Sequence, residues 1–213
     1  MKNTNTNFNR RIRYILIAGV AMFVLFVAYK KIRYTDVSKP TNIIAIQPMQ
    51  INDAVLINVI RKQIESYYHI KTVLLSNIEM PKEAYYVPRQ RYKANKIISF
   101  LKTQKPDSIN YIIGITTKDI SSSKGKIPDW GIMGLAYCPG KSAVVSTFRI
   151  KTPNRPLLEE RLTKIALHEI GHNFGLGHCN TKQCFMHAAE GSIKQVDAEN
   201  LDMCNSCKEK IGL

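Results

Sequence analysis

The segment HEIGHNFGLGHC, residues 168–179, gathers three of the chain's five histidines, a glutamate and a cysteine. His168 and His172 are four apart, so on a helix they stack on one face with Cβ atoms about 5–6 Å apart, close enough for both imidazoles to reach one metal ion. Glu169 then lies about a hundred degrees round the helix, where it can contact a water on that metal without being a ligand. A continuing helix would carry the third histidine away. Gly175 takes the left-handed conformation that ends a helix at low cost, and Gly177 adds a second permissive point, so the chain can bend and return His178 to the same ion.

Three neutral nitrogens with one open position are the donor set of a catalytic zinc site, in contrast to the closed four-ligand structural kind. Such a site brings the pKa of bound water from about 15.7 to about 7. The expected roles follow. His168, His172 and His178 hold the zinc, Glu169 takes a proton from the zinc-bound water and passes it to the departing amine, and the metal polarises the scissile carbonyl. The bland alternative is an amphipathic helix that happens to contain histidines; the added Gly175 and His178 weigh against it.

Cys179 follows His178 directly, Cys184 comes after four residues, and Cys204 and Cys207 form a C-x-x-C near the C-terminus. Two close pairs are the spacing of a closed zinc site with four thiolate ligands, so two zinc ions per chain are expected, one catalytic and one structural. The second would clasp the C-terminal segment to the end of the active-site helix, and fixing the Cys179 thiol would fix the neighbouring His178 imidazole. Disulfides are the alternative if the domain faces an oxidising compartment. Cys138 stands apart as a spare thiol.

From His168 to Cys207 these residues resemble the archaemetzincins, a branch of the metzincin zinc metalloproteases: HEIGHNFGLGH, then Cys179, four residues, Cys184-Phe185-Met186, seventeen residues and CNSC. The resemblance implies an aminopeptidase or short-peptide protease, a second zinc on the four cysteines, and Met186 as the methionine of the turn beneath the catalytic site. Read from its residue type alone, Met186 is an ordinary core methionine. His69 and His187 are not expected to be ligands.

The elements that must position these groups are legible upstream. IIAIQP reads as a buried first strand, and Asn52 or Asp53 caps a helix running to about Tyr67 with Ala54, Ile57, Ile60 and Ile64 on one stripe. HIKTVLLSNIEM reads as a second strand stopped by Pro81, Arg91 to Gln104 as a helix, and NYIIGITT as a strand buried on both faces. SSSKGKIPDWG reads as a loop; GIMGLAYCPG with SAVVSTFRI reads as a hairpin closed at Pro139-Gly140. Pro156 opens the helix that delivers the histidines. The SAVVSTF strand is a candidate for lining the cleft along a sheet edge, with an ordinary core strand as the alternative. Tyr137 and Cys138 are placed to approach it. The expected fold class is α+β, a mixed α/β metzincin-like domain with a central sheet, active-site helix and C-terminal four-cysteine clasp, preceded by one N-terminal transmembrane helix.

That last expectation rests on YILIAGVAMFVLFVAY, residues 14–29, which has no charge, Arg10, Arg11 and Arg13 before it, and Lys30, Lys31 and Arg33 after it. It covers about 24 Å at roughly 1.5 Å per residue, short of a hydrocarbon core of about 30 Å unless flanking residues snorkel. A cleaved signal peptide is the nearer competitor, but no small-x-small site follows. The expected organisation is a tail at 1–13, an anchor at 14–29, a linker at 30–42 and a metallopeptidase domain at 43–213, single-pass with the domain facing outward. The formal charge of +15 is partly the flanks of this segment; the remaining basic residues are interleaved with acids, which argues against nucleic acid as a partner. The expected partners are a peptide substrate and the membrane, with the protein a monomer. Two rival functions share the metal site: an inactive zinc-binding scaffold and a hydrolase of a non-peptide amide.

Overall fold

Ile44 and Ile46 of strand β1 (Ile43–Met49) face one apolar cluster and Ala45 the other, the two-residue alternation of a strand covered on both sides. Strands β5 (Tyr111–Thr116) and β9 (Ser142–Ser146) repeat the pattern: Ile113, Ile115, Ala143 and Val145 on one side, Ile112 and Val144 on the other. With β2 (Lys71–Leu74) these strands run parallel, and β8 (Gly134–Ala136) joins antiparallel to β9, giving the order β2-β1-β5-β9-β8. Helices α1 (Ala54–Tyr68) and α3 (Arg155–Asn173) cover one face of this sheet, and α2 (Ala94–Gln104) covers the other. The computed structural model describes residues 42–213, which form one compact unit.

Local chemistry sets the helix ends. The Asp53 carboxylate accepts from the Leu56 amide at 2.9 Å and starts α1; Asn154 accepts from Leu157 at 3.1 Å and starts α3, with Pro156 in its first turn. Asp53 also receives both terminal nitrogens of Arg155, at 2.5 and 3.0 Å, so the starts of the two helices are tied together.

The expected mixed α/β domain is present, with differences. The second expected strand is regular only over β2, with one further parallel bridge from Ile78 to Met49. Residues Arg91–Lys93, expected as the start of a helix, are strand β4, and α2 begins at Ala94. The stretch expected as a loop is a hairpin of β6 (Ile120–Lys124) and β7 (Ile127–Ile132) in a second sheet, ordered β3-β4-β6-β7 with β3 (Tyr85–Tyr86). Asp129 of β7 accepts from Lys93 Nζ at 2.7 Å and is ion-paired with Arg91 Nη1 at 3.2 Å, both from β4, so cross-strand charge holds a stretch whose composition reads as coil. The chain ends in two short helices, α4 (Ile193–Ala198) and α5 (Asn205–Ile211).

The transmembrane part of the expected fold class, and the single-pass membrane localisation built on it, are corrected. Residues 14–29 lie outside the described residues. Among the described residues no helix is long and apolar enough to cross a membrane. The longest, α3, has 19 residues but carries Arg155, Glu159, Glu160, Arg161 and Lys164, whereas a span needs about 20 predominantly apolar ones.

Candidate active site

Helix α3 ends in a way that the three histidines require. Gly175 has φ +95, the Leu176 amide donates back to the Gly171 carbonyl at 3.0 Å and the Gly175 amide to the His172 carbonyl at 2.9 Å, the paired bonds of a Schellman stop with Leu176 buried. The reversal returns His178, and the ring centroids of His168, His172 and His178 lie 4.5, 4.9 and 5.4 Å apart. One ligand nitrogen from each falls within 4.8 Å of the others.

The backbone also fixes which nitrogen each ring presents. His168 Nδ1 lies 2.6 Å from the Phe185 carbonyl oxygen and His172 Nδ1 lies 2.7 Å from that of Leu176. A carbonyl only accepts, so both Nδ1 atoms carry hydrogen and both Nε2 lone pairs are left for a metal. Burial pushes His168 down to about 3, with the neighbouring imidazole of His172 adding to the effect, and burial likewise lowers His172; both rings are neutral, as metal ligands must be. This donor set fits zinc. Among the described residues no further His, Cys, Asp or Glu joins the group.

Glu169 is 6% exposed and lies in the same cleft. Burial pushes its carboxyl up to about 8; a divalent cation held by the adjacent imidazoles opposes that rise. The edge strand β8 comes close to it at Gly134, a residue with no Cβ to collide with the carboxyl group.

The four cysteines form a second group, their sulfurs within 4.8 Å of one another, and none is in a disulfide. Cys179 and Cys204 Sγ are 3.7 Å apart, the Thr181 amide donates to Cys179 Sγ at 3.4 Å and the Cys204 amide to Cys184 Sγ at 3.3 Å. A hydrogen bond from the Cys207 backbone, foremost, draws Cys204 down to about 7, so at least one sulfur is ready to be a thiolate. Four sulfurs with amide donors around them fit a closed zinc site.

Met186 is fully buried, and the Cys179 amide donates to its carbonyl at 2.9 Å, so the clasp and the methionine segment are joined through backbone. His187 lines the cleft but belongs to neither donor group; His69 ends α1 in the left-handed region, also apart from both. Cys138 lines the cleft and Tyr137 is exposed beside it. The SAVVSTF stretch takes the core alternative: its strand, β9 (Ser142–Ser146), is buried throughout, and the edge bordering the cleft is β8. Asn173 is a residue that spacing did not single out. Its side-chain amide donates to the carbonyls of Tyr137 at 3.3 Å and Ser142 at 3.1 Å, holding the end of the histidine helix to the β8–β9 turn.

The profile of peptidase family M54 matches residues 43–212. The chain belongs to the archaemetzincin family. It is 30% identical over 168 residues to the archaemetzincin of Archaeoglobus fulgidus, covering 79% of this chain and 98% of that one. It is 34% identical over 131 residues to the archaemetzincin of Methanopyrus kandleri, covering 62% and 71%. The crystal structure of the A. fulgidus archaemetzincin, complexed with malonate, matches with a TM-score of 0.69 at 31% identity over 79% of this chain and 99% of that one. The crystal structure of the M. kandleri archaemetzincin matches with a TM-score of 0.72 at 25% identity, over 83% and 97%. As an archaemetzincin the chain is a zinc metallopeptidase.

Proposed function

We propose that residues 43–213 hydrolyse short peptides, with the N-terminal residue a favoured point of attack, and that Glu169 is the general base. The observation that carries this reading is the meeting of three imidazoles, two of them with Nδ1 committed to carbonyls, beside one buried carboxyl group in a cleft of about 620 Å³. His168, His172 and His178 are the residues that would hold the catalytic zinc, and Cys179, Cys184, Cys204 and Cys207 the structural one. Bound zinc supplies a Lewis acid that polarises the scissile carbonyl and acidifies a water.

The chain's own residues do the rest. Glu169 accepts the proton lost by the attacking water at its carboxylate and delivers it to the leaving nitrogen; its buried setting, which raises its proton affinity, suits a group that must hold a proton between the two steps. The edge of β8 offers unpaired backbone groups on which an extended peptide can align. The preference for short substrates is supported by contact between two cleft walls: Lys124 Nζ of the β6–β7 hairpin is 3.6 Å from Glu190 Oε2, and Trp130 packs against Gly191.

The test is Glu169→Gln in the zinc-loaded protein. The expected result is retained zinc with peptide hydrolysis reduced by at least about 10²-fold. Hydrolysis at the original rate would refute Glu169 as the base, and turnover of a metabolite amide with none of any peptide would favour the non-peptide reading.

A further inference from the structure

One part of the cleft wall takes no part in the reaction described above. His187 and Glu199 line it, and Gln195 joins them. Glu199 is 7% exposed; its Oε1 lies 2.7 Å from His187 Nδ1 and accepts from Gln195 Nε2, while its Oε2 is buried without a hydrogen-bond partner. A carboxylate oxygen removed from water and left without a donor raises the free energy of the site until a donor meets it. The nearby cation does not supply one. Lys164 Nζ, one helical turn before His168, is taken up by Glu160 Oε1 at 2.6 Å and the Val196 carbonyl at 3.3 Å. Among the described residues His187 is the one cation-forming side chain within salt-bridge distance of Glu199.

Metal binding does not explain the cluster, because among the described residues only the three histidines and the four cysteines group with metal-ligand spacing. The surroundings suit an amphipathic side chain better: Met133, Ile165 and Val196 supply apolar surface of the same cleft, against which a methylene stem can lie while its charged head reaches the carboxylate.

We propose that this wall is a side-chain subsite and that Glu199 selects a Lys or Arg side chain at a substrate residue flanking the scissile bond. The inference rests on the peptidase reading above, and it names Glu199 as a specificity-determining residue, oriented by His187 and Gln195.

The test uses the full zinc-loaded chain and matched pairs of short peptides with Lys or norleucine at one position at a time, the two sharing a stem and differing in the ammonium group. Lys peptides are expected to exceed norleucine peptides by at least about tenfold in kcat/KM at one position, and Glu199→Gln to reduce that ratio to about one. Equilibrium binding of the same pairs to Glu169→Gln gives a readout independent of turnover and is expected to show the same preference. Equal handling of the pairs by the wild-type chain, or a preference unchanged by Glu199→Gln, would overturn the proposal; the wild-type comparison decides even if the variant fails to fold. If no peptide is cleaved, the peptidase reading fails, and the binding pairs still decide for or against the subsite.

Discussion

A Cβ placed on Gly134 would lie 2.5 Å from Oε1 and 2.8 Å from Cγ of Glu169, so the edge strand of the sheet leaves the carboxyl group its position by having no side chain there. Gly134→Ala is therefore expected to displace Glu169 while leaving the three imidazoles in place. Misplacing a reacting group by about 1 Å costs on the order of 10²-fold. We expect kcat to fall by roughly that factor, zinc content to stay at the wild-type level, and stability to drop by about 1–3 kcal/mol from overpacking. Steady-state kinetics beside metal analysis checks this, and wild-type kcat in the variant would show that the approach of β8 does not set the carboxyl position.

The Asp53–Arg155 pair ties the start of α1 to the start of the active-site helix, and the guanidinium holds the Asp53 carboxyl below its ordinary range. A depressed folded-state pKa means stability that is present above the unfolded value of about 3.9 and lost as pH falls through the lower folded value. Asp53→Asn keeps an acceptor for the Leu56 amide and removes the charge. Both side chains are more than a third exposed, 36% and 40%, so solvent screening limits the loss to about 1 kcal/mol or less at neutral pH. Urea unfolding of the two proteins across pH 3–7 is expected to give a constant difference above about pH 5 that shrinks below pH 4. A difference that grows on acidification would contradict the assignment.

Cys207 is buried in the four-sulfur group, where burial pushes its thiol up, and a metal ion is what converts such a group to thiolate. Cys207→Ser is expected to reduce zinc from two ions per chain to one and to destabilise the C-terminal segment by several kcal/mol. Activity should fall with it, because Cys179 of the clasp adjoins His178 of the catalytic group. Two zinc ions in the variant, measured by elemental analysis, would show that the sulfurs do not form one site.

The histidine helix and its stop were legible because their signals are local. Four-residue spacing, Pro156 and a glycine at the turn act within a few residues of where they are written. The β6–β7 hairpin was not legible, because Ser, Lys, Gly and Pro there read as coil and the deciding partners, Arg91 and Lys93, lie some thirty residues earlier on β4. SAVVSTF reads as either a cleft edge or a core strand, and the edge belongs to β8, for a similar reason: strand order is settled by long-range packing, and the composition of SAVVS suits an edge or a centre. Asn173 and Glu199 carry no spacing signal at all; each acquires a role only through contacts made across the fold. The apolar run at 14–29 shows the opposite hazard, since hydropathy alone suggested a spanning helix and nothing among the described residues supports one.

We propose that His168, His172 and His178 hold one zinc ion and leave a position for water beside Glu169. Crystals of the zinc-loaded protein, measured at the zinc absorption edge, test it most directly. The account predicts an anomalous peak about 2.0–2.1 Å from the Nε2 atoms of His168 and His172 and from one ring nitrogen of His178, with no fourth protein ligand. A peak that lacks one of these three nitrogens, or that is closed by a fourth protein atom, would contradict it.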